Sequence, residues 1–205
     1  MQLEKGNLQK ILEQELEGKP DSAGRGVWTV DHCKRTANLA LQLRQAVGAP
    51  EELDDLLYLA GLFHDVSHDS ASHDLHEEAG AKRVCQLLTG KVETTLLQQA
   101  SAIIRVHDDR RQNDGRSTAL HLVQDADMLD HFGTLEIWAN FGYAALHGES
   151  LQNSLDFYQK ASEKREHYMQ LLHFDAARQE LARKLAFEMQ FYAYAARESA
   201  GGLTD

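Results

Sequence analysis

Leu59-Ala-Gly-Leu-Phe-His64-Asp65-Val-Ser-His68-Asp69 is the stretch whose reading decides the fold. It reads as the end of a buried helix that passes without a break from apolar residues to adjacent metal-ligand types. Counting back from His64 by four, seven and eleven gives Ala60, Leu57 and Leu53, a single apolar helical face. Such a face is aimed at a core, and it aims His64 there too. Asp65 follows on the neighbouring strip, with Asp69 one turn beyond. Burying an ionised carboxylate costs several kcal/mol unless a cation balances it. No Lys or Arg lies within a turn of the pair, so a metal ion is the economical counter-charge.

Working outward, helical periodicity continues in both directions and strand signals are nearly absent, which predicts an all-α chain. A helix is expected over 2–17, a loop through the breaker cluster 18–26, a helix over 30–47 and the anchor helix over 51–66, with Pro50 at its first turn. Residues 67–74 read as a loop at the mouth of the site. Further helices are expected at 74–88, 92–107, 118–131, 134–147, 151–172 and 176–198, the last entered through Asp175 as N-cap. The expected division is an N-terminal helix and loop over 1–26, a metal-binding core over 27–150 and C-terminal helices over 151–205.

On five of these helices an apolar line ends in a metal-competent side chain: His32, His64, His76, His107 and Asp127. One such residue is ordinarily a hydrogen-bonded core histidine. Five from separate helices are the recipe for a divalent cation in a helical bundle. Asp125 and Asp130 compete with Asp127. Asp125 lies about 200° around the helix from Asp127, so only one of these two faces the metal. His121 and His131 flank Asp127, and His147, His167 and His173 read as surface or packing residues.

Composition bounds the partners. The 205 residues carry 32 acidic and 21 basic side chains, a formal charge of −11, which argues against nucleic-acid polymers and anionic membranes. Small phosphorylated substrates stay compatible if a metal and local Arg or Lys offset the acidic background. Cys33 and Cys85 form neither a CxxC site nor a disulfide framework and read as reduced thiols. With no apolar leader after Met1 and no 18-residue apolar run, a cytoplasmic protein is expected.

The order His32…His64-Asp65…Asp127 resembles the HD-domain superfamily of metal-dependent phosphohydrolases, whose signature is H…HD…D. Asp31-His32-Cys-Lys-Arg35 looks like the family's first motif. His76-x-x-x-Gly80-Ala81 and Ile104-Arg-Val-His107 resemble the extra histidine motifs of members that hold two metals. Val123-Gln-Asp-Ala-Asp127-Met-Leu-Asp130 is similar to the final motif, whose second Asp is the ligand. Ser154-Leu-Asp-Phe157-Tyr-Gln-Lys160 and the long last helix look like the tail of small, single-domain bacterial relatives. The resemblance spans about residues 27–198. It implies an HD-domain helical bundle with a C-terminal helical extension.

It also implies hydrolysis of phosphate esters or anhydrides, most often in nucleotides, on the pattern of nucleoside triphosphate pyrophosphohydrolases. Alternatives are a dinucleotide-polyphosphate hydrolase, an oxygenase with two irons, and a non-catalytic ligand-sensing module. His68 stands where alarmone hydrolases carry Glu, which argues against an alarmone substrate. On this reading His32, His64, Asp65 and Asp127 hold a first ion. His76 and His107 hold a second, with Asp65 bridging. Mixed nitrogen and oxygen donors suit Mn, Fe, Ni, Zn or Mg, one or two ions per chain. Asp69 is the candidate to orient or deprotonate water, and Arg35 the candidate phosphate clamp. Lys82, Arg105, Arg110 and Arg111 are further candidates for substrate contact, and homodimer formation stays open.

Overall fold

The apolar run ending at His64 forms α3 (Asp54–Phe63), entered through a single 3-10 turn at Glu51–Leu53. Seven of its ten residues, Leu57 to Phe63, are buried, so α3 is the central rod of the molecule. The computed structural model describes residues 3–19, 28–67, 76–111 and 115–203. Among them there is no strand. The remaining helices are α1 (Lys5–Leu16), α2 (Trp28–Ala46), α4 (His76–Leu88), α5 (Thr94–Ile104), α6 (Thr118–Asp130), α7 (Thr134–His147), α8 (Leu151–Glu163), α9 (Arg165–Leu171) and α10 (Asp175–Ser199). The fold is all-α.

Helices α2, α5 and α6 pack around α3, and α4 packs on α5. Small residues set how closely they do so. Cys33, Ala37 and Ala40 line the buried face of α2, and Gly61 of α3 meets the backbone at Thr36 and Ala37. A Cβ on Gly61 would lie 2.9 Å from the Ala37 Cα, inside any normal contact. Gly80 does the same for α4, where a Cβ would sit 3.4 Å from the His64 carbonyl oxygen. Gly61 thus brings α2 against α3, and Gly80 brings α4 against the backbone of His64.

A second, smaller apolar cluster joins α7, α8 and α10 through Ile137, Leu155, Tyr158 and Tyr192. Polar ties link it to the end of α6: Glu188 accepts from the Gly133 amide, and Lys184 donates to the Phe132 carbonyl at 3.0 Å. Gly133 has φ +96°, a turn that favours glycine.

Two expectations change. The helix anticipated over 151–172 is two helices, α8 and α9, broken at Lys164. Leu155 and Tyr158 go to the small cluster, whereas Tyr168 and Met169 pack on the main core, and the bend serves both. Asp175 is not the N-cap of α10. That position belongs to Phe174, whose amide is bound by the Asp125 carboxylate, while Asp175 pairs with Arg178 inside the first turn.

Candidate metal centre

Three histidines are oriented by what their Nδ1 atoms meet. His64 caps the C-terminus of α3, and its Nδ1 lies 2.8 Å from the Gly61 carbonyl. His107, in the turn after α5, repeats this at 2.8 Å from the Ile104 carbonyl. His32 of α2 places Nδ1 2.8 Å from Asp130 Oδ2, and Arg35 grips that carboxylate through Nε and Nη2, each at 2.8 Å. A carbonyl or carboxylate partner requires Nδ1 to be the donor, so each neutral ring turns a bare lone pair outward on Nε2.

Those lone pairs converge. His32 Nε2 lies 3.1 Å from His64 Nε2, 3.2 Å from Asp127 Oδ1 and 3.8 Å from Asp65 Oδ2. His64 Nε2 lies 3.4 Å from Asp127 Oδ1 and 3.6 Å from Asp65 Oδ2. Ligand atoms about 2.0–2.2 Å from a shared ion lie roughly 3.0–3.6 Å apart, close to this spacing. All four residues are inward-facing, and Asp127 Oδ1 is buried with no hydrogen-bond partner among the described residues. Acceptors pointed at acceptors in a dry interior repel unless a cation sits among them. The donor set fits a divalent metal.

The other oxygen of Asp65 faces a second group. Oδ1 lies 3.4 Å from His107 Nε2 and 3.7 Å from His76 Nε2. His76, the first residue of α4, also has Asp108 Oδ2 3.3 Å from Nε2 and Glu77 Oε2 3.5 Å from Nδ1. The single carboxylate of Asp65 thus stands between two clusters, each able to hold an ion.

The field in this pit is strongly negative. Burial pushes the His32 imidazolium toward losing its proton, but the carboxylates of Asp127 and Asp130 outweigh it and raise its pKa to about 10. His64 is raised in the same way, against burial, by Asp65. Burial also works against ionised Asp65, and His64 with His107 and His32 overcomes it, holding the carboxyl far below the usual range. Asp127 is held low, chiefly by Arg110 acting against burial. A site that draws protons this strongly draws a metal for the same reason, with proton release on binding.

The basic candidates separate. Arg110 reaches the site: its guanidinium contacts Asp127 Oδ2 and lies 3.4 Å from Asp108 Oδ1. Arg35, expected as a phosphate clamp, instead spends its fork on Asp130 and lies over the Trp28 ring at 5.1 Å. Lys82 and Arg105 both pair with Glu78 on the outer face of α4, and Arg111 is exposed beside Asp109. Asp69 lies outside the described residues, as do His68 and His73. The rivalry on α6 resolves by partner. Asp127 faces the histidines, Asp130 orients His32, and Asp125 accepts from the amides of His173 and Phe174 and from His173 Nδ1.

Sequence reasoning left His131 open between supporting the ligands and doing nothing, and gave no role to Asp108 or Gln124; the structure brings in all three. His131 Nε2 lies 3.3 Å from Asp127 Oδ1, one turn on, with its ring 4.8 Å from that of His32. Asp108 follows His107 directly and faces His76. Gln124 donates to the carbonyls of His107 and Asp109, at 2.9 and 3.0 Å, and pins the turn that carries His107. For His131 the four-residue spacing from Asp127 was the available signal. For Gln124 there was none.

A family model for the HD domain matches residues 29–131. That is half of the chain, and the chain belongs to the HD-domain family. With its donor set it is a metal-dependent hydrolase of that family. No curated protein sequence matches it significantly. Its fold is similar to an HD-superfamily hydrolase from Bacillus thuringiensis, 24% identical with TM-score 0.68, covering 96% of each chain. It is also similar to Bacillus subtilis YpgQ solved with ADP, 19% identical with TM-score 0.65, covering 95% of this chain and 97% of that one. A predicted HD-superfamily hydrolase from an uncultured Thermotogales bacterium is 19% identical with TM-score 0.65, covering 94% and 91%.

Proposed function

We propose that the chain hydrolyses a phosphoester or phosphoanhydride bond in a nucleotide, with residues 27–150 as the metal-binding core. The observation that carries this reading is Asp65, one half-buried carboxylate facing two imidazole clusters whose lone pairs point inward. The ADP bound by YpgQ, a protein of the same fold, supports a nucleotide as the substrate.

His32, His64, Asp65 and Asp127 would hold one divalent ion, and His76, His107 and Asp65 a second. Such ions lower the pKa of coordinated water to about 7 and polarise phosphoryl oxygens. Arg110 neutralises Asp127 on the side away from the histidines, and its buried Nε has no acceptor in the protein among the described residues, leaving it available to a phosphoryl oxygen. Asp108, held ionised by His76 and His107 against burial and with a third of its side chain exposed, would orient an attacking water beside the second cluster. Asp130 and Arg35 keep the His32 ring turned inward.

A nucleotide panel with Mn²⁺, Mg²⁺, Ni²⁺ and Fe²⁺ in parallel tests this by release of phosphate or pyrophosphate. Cation-dependent release, abolished by chelation, is expected. If no member of the panel is cleaved with any of the four ions, the reading falls.

A further inference from the structure

Beside the metal centre a cavity of about 710 Å³ opens between α7 and α8, and His131 forms part of its wall. The same ring stands 3.3 Å from Asp127 Oδ1, so the cavity and the ligand cluster share a boundary. Resting on the nucleotide reading above, we propose that this cavity seats the nucleobase, with the phosphates passing His131 to reach the metals and Arg110.

Three observations point there. The walls are aromatic, with Trp28, Tyr143 and Phe157 offering flat faces. Trp28 is held in place, its ring 5.9 Å from that of Trp138 and covered by Arg35. Planar heterocycles stack on such surfaces whichever base they carry. Next, two polar atoms in the lining have no partner among the described residues. Ser154 is only 2% exposed, and its Oγ makes no hydrogen bond. The Asn140 Oδ1 atom is likewise buried and unpaired. A buried hydroxyl and a buried carboxamide without partners are costly, and a base edge carrying N–H donors and ring-nitrogen acceptors satisfies both. Finally, the lining carries three carboxylates, Glu136, Glu149 and Asp156, against one ammonium, Lys160. That balance repels a polyphosphate and accepts a neutral ring. It fixes the direction in which the substrate lies, base in the cavity and phosphates at the ions.

The test measures binding to the full chain in Mg²⁺, by calorimetry, of AMP, GMP, CMP and UMP against ribose 5-phosphate, which lacks a base. At least one nucleotide is expected to bind about tenfold more tightly than ribose 5-phosphate. It should also quench tryptophan fluorescence, because both tryptophans of the chain, Trp28 and Trp138, lie at the cavity or against its wall. Asn140→Ala, which keeps a helix-favouring residue at a half-buried position, should lose about tenfold in affinity for that nucleotide. It should leave ribose 5-phosphate binding as in the wild type, which also shows that the variant folds. Ser154→Val should act in the same direction. The proposal is overturned if all four nucleotides bind within about twofold of ribose 5-phosphate, or if both variants bind as the wild type does. Tight base-dependent binding without any hydrolysis would defeat the catalytic reading and leave the cavity assignment standing. Hydrolysis without base-dependent affinity would do the reverse.

Discussion

Asp127 divides its carboxylate between two neighbours, Oδ2 to Arg110 and Oδ1 to the Nε2 atoms of His32, His64 and His131. Asp65 divides its own between the two clusters, so removing it strips both at once. Asp65→Ala is expected to abolish metal uptake and turnover while far-UV circular dichroism stays close to the wild-type spectrum. Metal retention by that variant, measured by elemental analysis, would refute the arrangement. Asp130→Asn is gentler: the carboxamide still contacts His32 Nδ1 but no longer fixes its tautomer or engages Arg35 as an anion. Metal affinity should fall by about 10–100-fold, read by competition with a chelating dye. The inward histidines were legible because each ends an apolar helical line. Periodicity did not separate Asp127 from Asp130, since both lie on the buried side of α6; the resemblance to the family's final motif named Asp127. The physical difference lies in partners on another helix, Arg35 and His32 of α2.

Among the elements, closeness of approach was the hidden variable. Periodicity placed α3 and α2 in the chain but could not say that Gly61 lies against Ala37. Gly61→Ala should therefore destabilise the protein by about 1–3 kcal/mol despite the better helix propensity of alanine. A lowered denaturant midpoint with an unchanged m-value is the expected signature. Glu188 on α10 ties that helix to the Gly133 turn. Burial, opposed only partly by the Gly133 amide and Lys184, raises its pKa from 4.5 to about 7. A raised acid pKa penalises the fold wherever the carboxyl is forced to ionise, so the penalty is absent below 4.5 and complete above about 7. Glu188→Gln should accordingly raise the melting temperature near pH 8. Near pH 4.5 the variant should melt with the wild type; equal gains at both values would contradict the sign. Neither the Lys164 break nor the Asp125 cap on α10 could be read from spacing, because both depend on which of two clusters a distant helix joins.

For the whole molecule, a ring of helices around α3 holds an excess of inward carboxylate and imidazole lone pairs that the chain itself only partly neutralises. Loading should stabilise the fold with the logarithm of the free metal concentration, by about 2.7 kcal/mol at a hundredfold excess over Kd. A melting temperature that rises with Mn²⁺ and returns on chelation is the expected record, and an unresponsive one would mean that the pit binds nothing. No helix among the described residues is long and apolar enough to cross a membrane.

Sharing Asp65 has a consequence for the order of filling. If both clusters take an ion, the one on the Oδ2 side would withdraw charge from the oxygen that faces His76 and His107, and the second would meet a poorer donor than the first. The influence is mutual, and each lowers the other's affinity by the same factor. A binding isotherm should then resolve into two unequal steps, with the occupancy set by how much free cation surrounds the protein.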